Sequence, residues 1–156
     1  MTRVLLDTTY LLPAAGIRVE GVPADAARKV REAGHAVLAS EISLFELLAK
    51  GAKLVAEGKA DRGRVSLAVK SILSDASIGK ASAYAEGTMA AAIEFREHHS
   101  DFVDCLILAS AAGECDALVT EDAAIPKNRG MMDAVLRRKP GFRVLTLSAL
   151  LGPPPP

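Results

Sequence analysis

The chain predicts an α/β domain, a three-layer fold with a central parallel β-sheet flanked by helices. Three observations carry this. Short runs of strand length alternate with stretches of helical periodicity along the chain. The first run, Arg3 to Leu6, is apolar without alternation, as in a parallel strand buried on both faces. No linker or internal repeat divides the 156 residues, a length that suits one domain with a sizeable core. Residues 1–151 are expected to form that domain, with right-handed crossovers between strands. Residues 152–156 are expected to be a disordered proline tail.

The elements follow in order. Arg3 to Leu6 ends at Asp7. Thr8 to Ala15 begins a short helix, broken around Pro13 and Gly16, and residues 19 to 23 are loop. Ala24 to Ala33 reads as a helix closed by Gly34, with Ala26, Ala27 and Val30 as its apolar stripe. Ala36 to Ala39 is the second strand. Ser40, or Ser43, then caps a long helix from Ile42 to Ala56. Ile42, Leu44, Phe45, Leu47, Leu48 and Ala49 give that helix a wide apolar surface, and Gly58 closes it. Asp61 caps a helix to Leu73. Ala76 to Ile78 is the third strand, on weak β-propensity. Tyr84 to Glu97 is helical, with Met89, Ala92, Ile93 and Arg96 at helical spacing; His98 to Ser100 is an exposed turn. Phe102 to Ala112 is an apolar helix that turns at Gly113 into a strand from Ala117 to Thr120. A loop to Gly130, a helix from Met131 to Arg138 and a last strand from Arg143 to Leu147 complete the reading.

Composition narrows the class. Half the residues are hydrophobic, yet only 4% are aromatic and Trp is absent, so Leu, Val, Ile and Ala must build the core. The net charge is zero, which argues against a generally basic nucleic-acid binder but leaves local patches open. Cys105 and Cys115 read as buried small hydrophobes in a reducing compartment rather than half of a zinc site. The apolar run at the amino terminus is too short for a signal peptide, and none spans a bilayer. A cytoplasmic location and no membrane contact are the expectation.

Carboxylates then fall where open parallel sheets place their sites, beyond the carboxyl ends of strands. Asp7 ends the first strand and Asp122 follows the strand that ends at Thr120. Asp104 stands in the first turn of the helix feeding that strand, with Asp101 one turn earlier. Glu46 is the one acid within the apolar surface of its helix. Clustered carboxylates repel and need a cation, and oxygen ligands alone select Mg²⁺ or Mn²⁺. Such an ion makes hydroxide from bound water near neutral pH and offsets charge in phosphodiester cleavage. Each acid also has a plainer explanation: Asp101 and Asp104 as helix-start acids, Glu46 paired with Lys50, Asp7 and Asp122 as turn residues. Jointly, a metal site explains them better.

Val4-Leu-Leu-Asp7-Thr-Thr, Ser43-Leu-Phe-Glu46-Leu, Asp101-Phe-Val-Asp104-Cys-Leu-Ile-Leu-Ala-Ser-Ala and Leu118-Val-Thr-Glu-Asp122 together resemble the PIN-domain ribonucleases, in order and spacing, over nearly the whole chain. The resemblance implies a metal-dependent endoribonuclease. Many single-domain members are VapC-type toxins of toxin–antitoxin pairs and tend to form homodimers, so an RNA substrate, an antitoxin and a second copy are the implied partners. It assigns Asp7, Glu46, Asp104 and Asp122 as catalytic metal-site acids with Mg²⁺ or Mn²⁺, Asp101 as an auxiliary acid, and Thr120 as a hydroxyl that orients a ligand or water. Two positions depart from the family pattern. Thr9 stands where an Asn is usual, as an auxiliary hydroxyl, and Ala124 where a further acid often stands.

Lys127, Arg129, Arg137, Arg138, Lys139 and Arg143, against Asp133 alone, form a basic segment that could hold an RNA backbone or be a solvated face. Low aromatic content argues against a grip by base stacking. The competing readings are an inactive domain of this fold that binds RNA or protein, and a different metal enzyme on a similar sheet. For a receiver-like domain the required second acid and late lysine have no place in the chain.

Overall fold

A computed structural model describes residues 1–152; the expected tail, beyond Gly152, lies outside the described residues. Five parallel strands form one sheet: β1 (Arg3–Leu6), β2 (Ala36–Ser40), β3 (Ile78–Ala81), β4 (Ala117–Val119) and β5 (Arg143–Leu145). Their order is β3-β2-β1-β4-β5, which puts β1 at the centre. The register pairs Val4 with Val37 on one side and with Ala117 on the other. Among the described residues eight α-helices flank this sheet: α1 (Ala26–Glu32), α2 (Glu41–Ala56), α3 (Arg62–Ser74), α4 (Glu86–Arg96), α5 (Phe102–Glu114), α6 (Ala124–Lys127), α7 (Arg129–Arg138) and α8 (Leu147–Leu151).

Side-chain alternation along the strands divides the core into two layers. Val4, Leu6, Val37, Ala39 and Val119 face α1, α2 and α3. Leu5, Leu38, Ala81 and Leu118 face α4, α5 and α7. The expected three-layer α/β fold is the observed one. Cys105 and Cys115 are free and buried, and burial pushes the Cys115 thiol up to about 12, so it packs as an apolar group.

Local chemistry explains where elements start. Ser40 caps α2 by accepting from the Ile42 amide, and Asp61 caps α3 by accepting from that of Arg64. Several boundaries differ from expectation. Residues 8–15 form two short 3-10 turns, Thr8–Tyr10 and Leu12–Ala15, and Pro13 opens the second rather than breaking a helix. Strand β3 lies later than the expected Ala76–Ile78. Asp75 holds residues 75–77 in a turn by accepting from the Ser77 amide and hydroxyl. Gly79 then meets Leu38 of β2 so closely that a Cβ would come within 2.9 Å of Leu38 Cγ. Pairing with β2 overrides the poor propensity of this segment. Gly113 is not a turn; α5 continues through it to Glu114. The expected loop before Gly130 contains α6, and α7 starts at Arg129 with Asn128 as its cap. Strand β5 stops at Leu145, and Thr146 caps α8.

The broad apolar surface of α2 is only partly core. Leu44 and Leu47 are buried, whereas Phe45, Leu48 and Ala49 face solvent. On α4 the buried side is Thr88, Ala91, Ala92 and Phe95; Met89 and Ile93 are exposed.

Helices α2 and α3 cross at Gly51, where a Cβ would meet Val65 Cγ1 at 2.4 Å. Gly51→Ala is therefore expected to cost about 1–3 kcal/mol by overpacking. Urea unfolding should show a lower midpoint with an unchanged slope.

Candidate metal centre

In the order β3-β2-β1-β4-β5 the connection from β1 runs to β2 and that from β4 runs to β5, so the two leave the carboxyl edge in opposite directions between β1 and β4. Open parallel sheets form their crevice at such a point. Asp7 is the first residue beyond β1, and its amide donates to the Val119 carbonyl at 3.0 Å, extending the ladder to β4. Its carboxylate is held on both sides. Oδ1 accepts from the Thr8 amide at 2.7 Å, capping the first 3-10 turn, and Oδ2 accepts from the Thr120 hydroxyl at 2.8 Å. Thr120 is buried just past β4 and also accepts from the Asp122 amide at 3.0 Å. One hydroxyl thus ties Asp7 to the loop that carries Asp122.

Glu46 reaches the same region from α2. Its Oε2 accepts from the buried Thr8 hydroxyl at 2.5 Å, and its Oε1 pairs with Lys50 Nζ at 2.8 Å. Asp104 comes from the first turn of α5, with Oδ2 at 2.9 Å from His99 Nε2. Asp101 caps that helix by accepting from the Val103 amide at 2.9 Å and more weakly from Asp104. Asp122 is exposed, and its Oδ1 accepts from the Ala124 amide at 2.8 Å.

The acids share one field. Burial pushes the Asp7 carboxyl above its ordinary value; the Thr120 hydroxyl and Thr8 amide oppose this, and the charges of Glu46 and Asp104 add to it. Burial likewise raises Asp104; the hydrogen bond from His99 opposes it, and Asp101 and Asp122 reinforce it. Four carboxylates from four separate segments therefore repel one another at the sheet's carboxyl edge. Lys50 and His99 are the neighbours that offset part of this charge.

This donor set is all oxygen and under-neutralised, which fits a hard divalent cation. In the arrangement described, the oxygens are turned to Thr8, Thr120, Lys50 and His99. Among the described residues no three His, Cys, Asp or Glu side chains stand close enough to share an ion. The residues that would hold one are Asp7, Glu46, Asp104 and Asp122.

Of the remaining expected residues, Thr120 sits at the centre of the network, Asp101 acts as a cap beside it, and Thr9 stands outside the hydrogen bonds just described. The pairing of Glu46 with Lys50 does form, alongside the contact with Thr8 rather than instead of it. His99 differs from expectation: it is not a solvated turn residue but is mostly covered, against Asp104. Its signal in the sequence was the cap at Asp101, which turns the preceding residues back over the first turn of α5.

The basic segment divides. Arg137 and Arg138 both clasp Glu94 of α4. Lys139 Nζ donates to the Cys115 carbonyl, ahead of β4, and Arg143 opens β5, so both lie at the amino edge of the sheet, away from the acids. Lys127 and Arg129 alone follow the carboxyl end of β4.

A second network fixes the Asp122 loop. The Tyr10 hydroxyl donates to Glu121 Oε1, and the Leu147 amide at the start of α8 donates to both at 3.3 Å. Tyr10 is buried, and burial with the Glu121 contact raises its phenol far above the ordinary value. Tyr10→Phe is expected to cost about 1–2 kcal/mol, because it leaves Glu121 and the Leu147 amide short of a partner. Thermal or urea unfolding reads this, and Tyr84→Phe, at an exposed site, should leave stability unchanged.

Comparison with protein families matches the PIN domain over residues 4–130. No curated protein matches the chain.

Proposed function

The chain belongs to the PIN-domain family, whose members are generally nucleases, and we propose that it is a metal-dependent endoribonuclease, the toxin of a VapBC-type toxin–antitoxin pair. The observation that carries the reading is the shared field of Asp7, Glu46, Asp104 and Asp122 at the carboxyl end of β1, with Asp7 joined to Glu46 through Thr8 and to the Asp122 loop through Thr120.

The chemistry follows from those groups. A bound Mg²⁺ or Mn²⁺ would supply an activated water and offset charge on the phosphodiester. Asp7, held at both oxygens by Thr8 and Thr120, keeps one fixed orientation toward the crevice. Thr120 sets the loop of Asp122 relative to Asp7. Lys50, already beside Glu46, is placed to receive a phosphate oxygen once Glu46 turns to a cation. Lys127 and Arg129 extend positive charge along the flank of the crevice, where an RNA backbone would run.

A second copy of the chain would cover an exposed apolar face. Tyr84, Met89, Ile93 and Phe102 are exposed and surround an apolar hollow of about 230 Å³ with Ile42 and Leu106. Covering this face in a homodimer, or by an antitoxin segment, would account for the apolar side chains of α4 and the start of α5 that point away from the core. Among the described residues no helix is long and apolar enough to cross a membrane.

The test is incubation of the pure protein with single-stranded and structured RNA, with Mg²⁺, Mn²⁺ or EDTA. Cleavage that needs the metal supports the nuclease. RNA retention without cleavage at any metal concentration would make the chain a binding module instead.

Cation affinity should also depend on pH in a stated direction. Protons compete with the ion for Asp7 and Asp104, whose carboxyls titrate above the ordinary 3.8. Mn²⁺ affinity is expected to fall as pH falls, beginning above the range in which an ordinary aspartate protonates. Calorimetric titration across that range checks this.

A further inference from the structure

A cavity of about 430 Å³, lined by none of the four acids, opens between α1, α3 and the start of β3. Its lining combines two chemistries. Ala68 and Ile72 are buried and make an apolar base, while Arg28, Arg31 and Arg64 bring three guanidinium groups.

The three arginines are not equivalent. Arg28 is spent, pairing with Asp25 at 2.5 Å and with Glu32 at 2.9 Å. Arg31, one turn of α1 later, has a buried Nη1 with no hydrogen-bond partner among the described residues. Asp75 lines the same cavity and its charge acts on Arg31, but it gives Oδ1 to the Ser77 amide and hydroxyl and makes no hydrogen bond to Nη1. A buried charged donor without an acceptor is costly, and such a group in a native fold calls for a missing partner. Arg64 has no carboxylate partner among the described residues either. It lies against Gly16, whose φ of 77° and lack of a side chain make room for it; a Cβ there would come within 2.6 Å of Arg64 Nε. A second hollow, lined by residues of the 13–24 segment including Arg18, adjoins the first and shares Arg64 with it.

We propose that this cavity binds a nucleoside monophosphate unit, with its phosphate on Arg31 and Arg64 and its base or ribose over Ala68 and Ile72. Guanidinium forks match phosphate oxygens, and an apolar base beside them suits the flat face of a nucleobase. The unit is either a free nucleotide or one residue of an RNA strand that continues past Arg18.

The experiment is calorimetric binding of AMP, and separately of a short single-stranded RNA, in EDTA. The proteins are the native chain, Arg31→Gln and Arg64→Gln. EDTA removes metal-dependent cleavage, so the outcome is independent of whether the chain is a nuclease. Saturable binding of one or both probes, weakened about tenfold or more in each variant, is expected. A free nucleotide as the source shows as AMP binding. An RNA source shows as RNA binding without AMP, with a shallower salt dependence in the variants. Arg64 is exposed, so its replacement leaves the fold intact even if that of Arg31 does not. Failure of both probes to bind, or binding unchanged in Arg64→Gln, overturns the proposal.

Discussion

Asp7→Asn is expected to lower metal-dependent RNA cleavage by at least about 100-fold while leaving the metal-free fold intact. Both effects come from one position. The carboxylate lies at the carboxyl end of the central strand, where Glu46 and Asp104 add their charge to its own. An Asn keeps an acceptor for the Thr8 amide or the Thr120 hydroxyl but loses the charge that would hold a cation. The sign of the stability effect follows from the raised carboxyl. Between the ordinary 3.8 and its folded value, the native state keeps a proton that the unfolded chain has lost. That contribution is fully present below 3.8 and is lost as pH rises through the folded value. At neutral pH the ionised Asp7 therefore weighs against the metal-free fold, and Asp7→Asn should unfold at the same temperature or higher. A variant that unfolds early, or that cleaves RNA as the native chain does, would contradict this.

Phe95→Ala is expected to give the largest loss of stability, about 3–5 kcal/mol. Phe95 is wholly buried on α4 within the layer that holds Cys105, Ile107 and Leu108 of α5. It stands just before the turn that brings His99 to Asp104. Its removal opens a cavity beneath that turn, so cleavage should fall together with stability. Ile93→Ala, two residues earlier and 64% exposed, should change monomer stability by no more than about 0.5 kcal/mol. Urea unfolding of the two variants separates core from surface on one helix.

That contrast also marks how far the sequence could be read. Strands β1, β2 and β4 are compact apolar runs between turn residues, and the reading found each to within a residue. Strand β3 was misplaced because Gly79 and Lys80 have little strand propensity; their place depends on Leu38 across the sheet. Helical periodicity marked Phe45, Leu48, Met89 and Ile93 as apolar positions. It could not tell a face that packs inward from one that waits for a partner.

The positions of the acids in the fold were legible because topology alone places strand ends, and each of the four stands just past a strand or within the first two turns of a helix. Their neighbours were not. Thr8 reaches Glu46 across 38 residues, and Thr120 reaches Asp7 across 113. The covered position of His99 depends on how one turn folds back. The basic segment divides for a related reason. Residues adjacent in sequence from Lys127 to Arg143 run down α7 from the carboxyl edge of the sheet to the amino edge, so closeness along the chain became distance from the site.

The proposed nuclease depends on carboxylates from four segments holding one kind of divalent cation. Calorimetric titration of Mn²⁺ into the native chain and into Asp104→Asn at neutral pH tests it most directly. Saturable binding by the native chain is expected, with a loss of at least about tenfold in affinity in the variant and unchanged secondary structure. Absence of saturable binding by the native chain, or equal affinity in the variant, would contradict it.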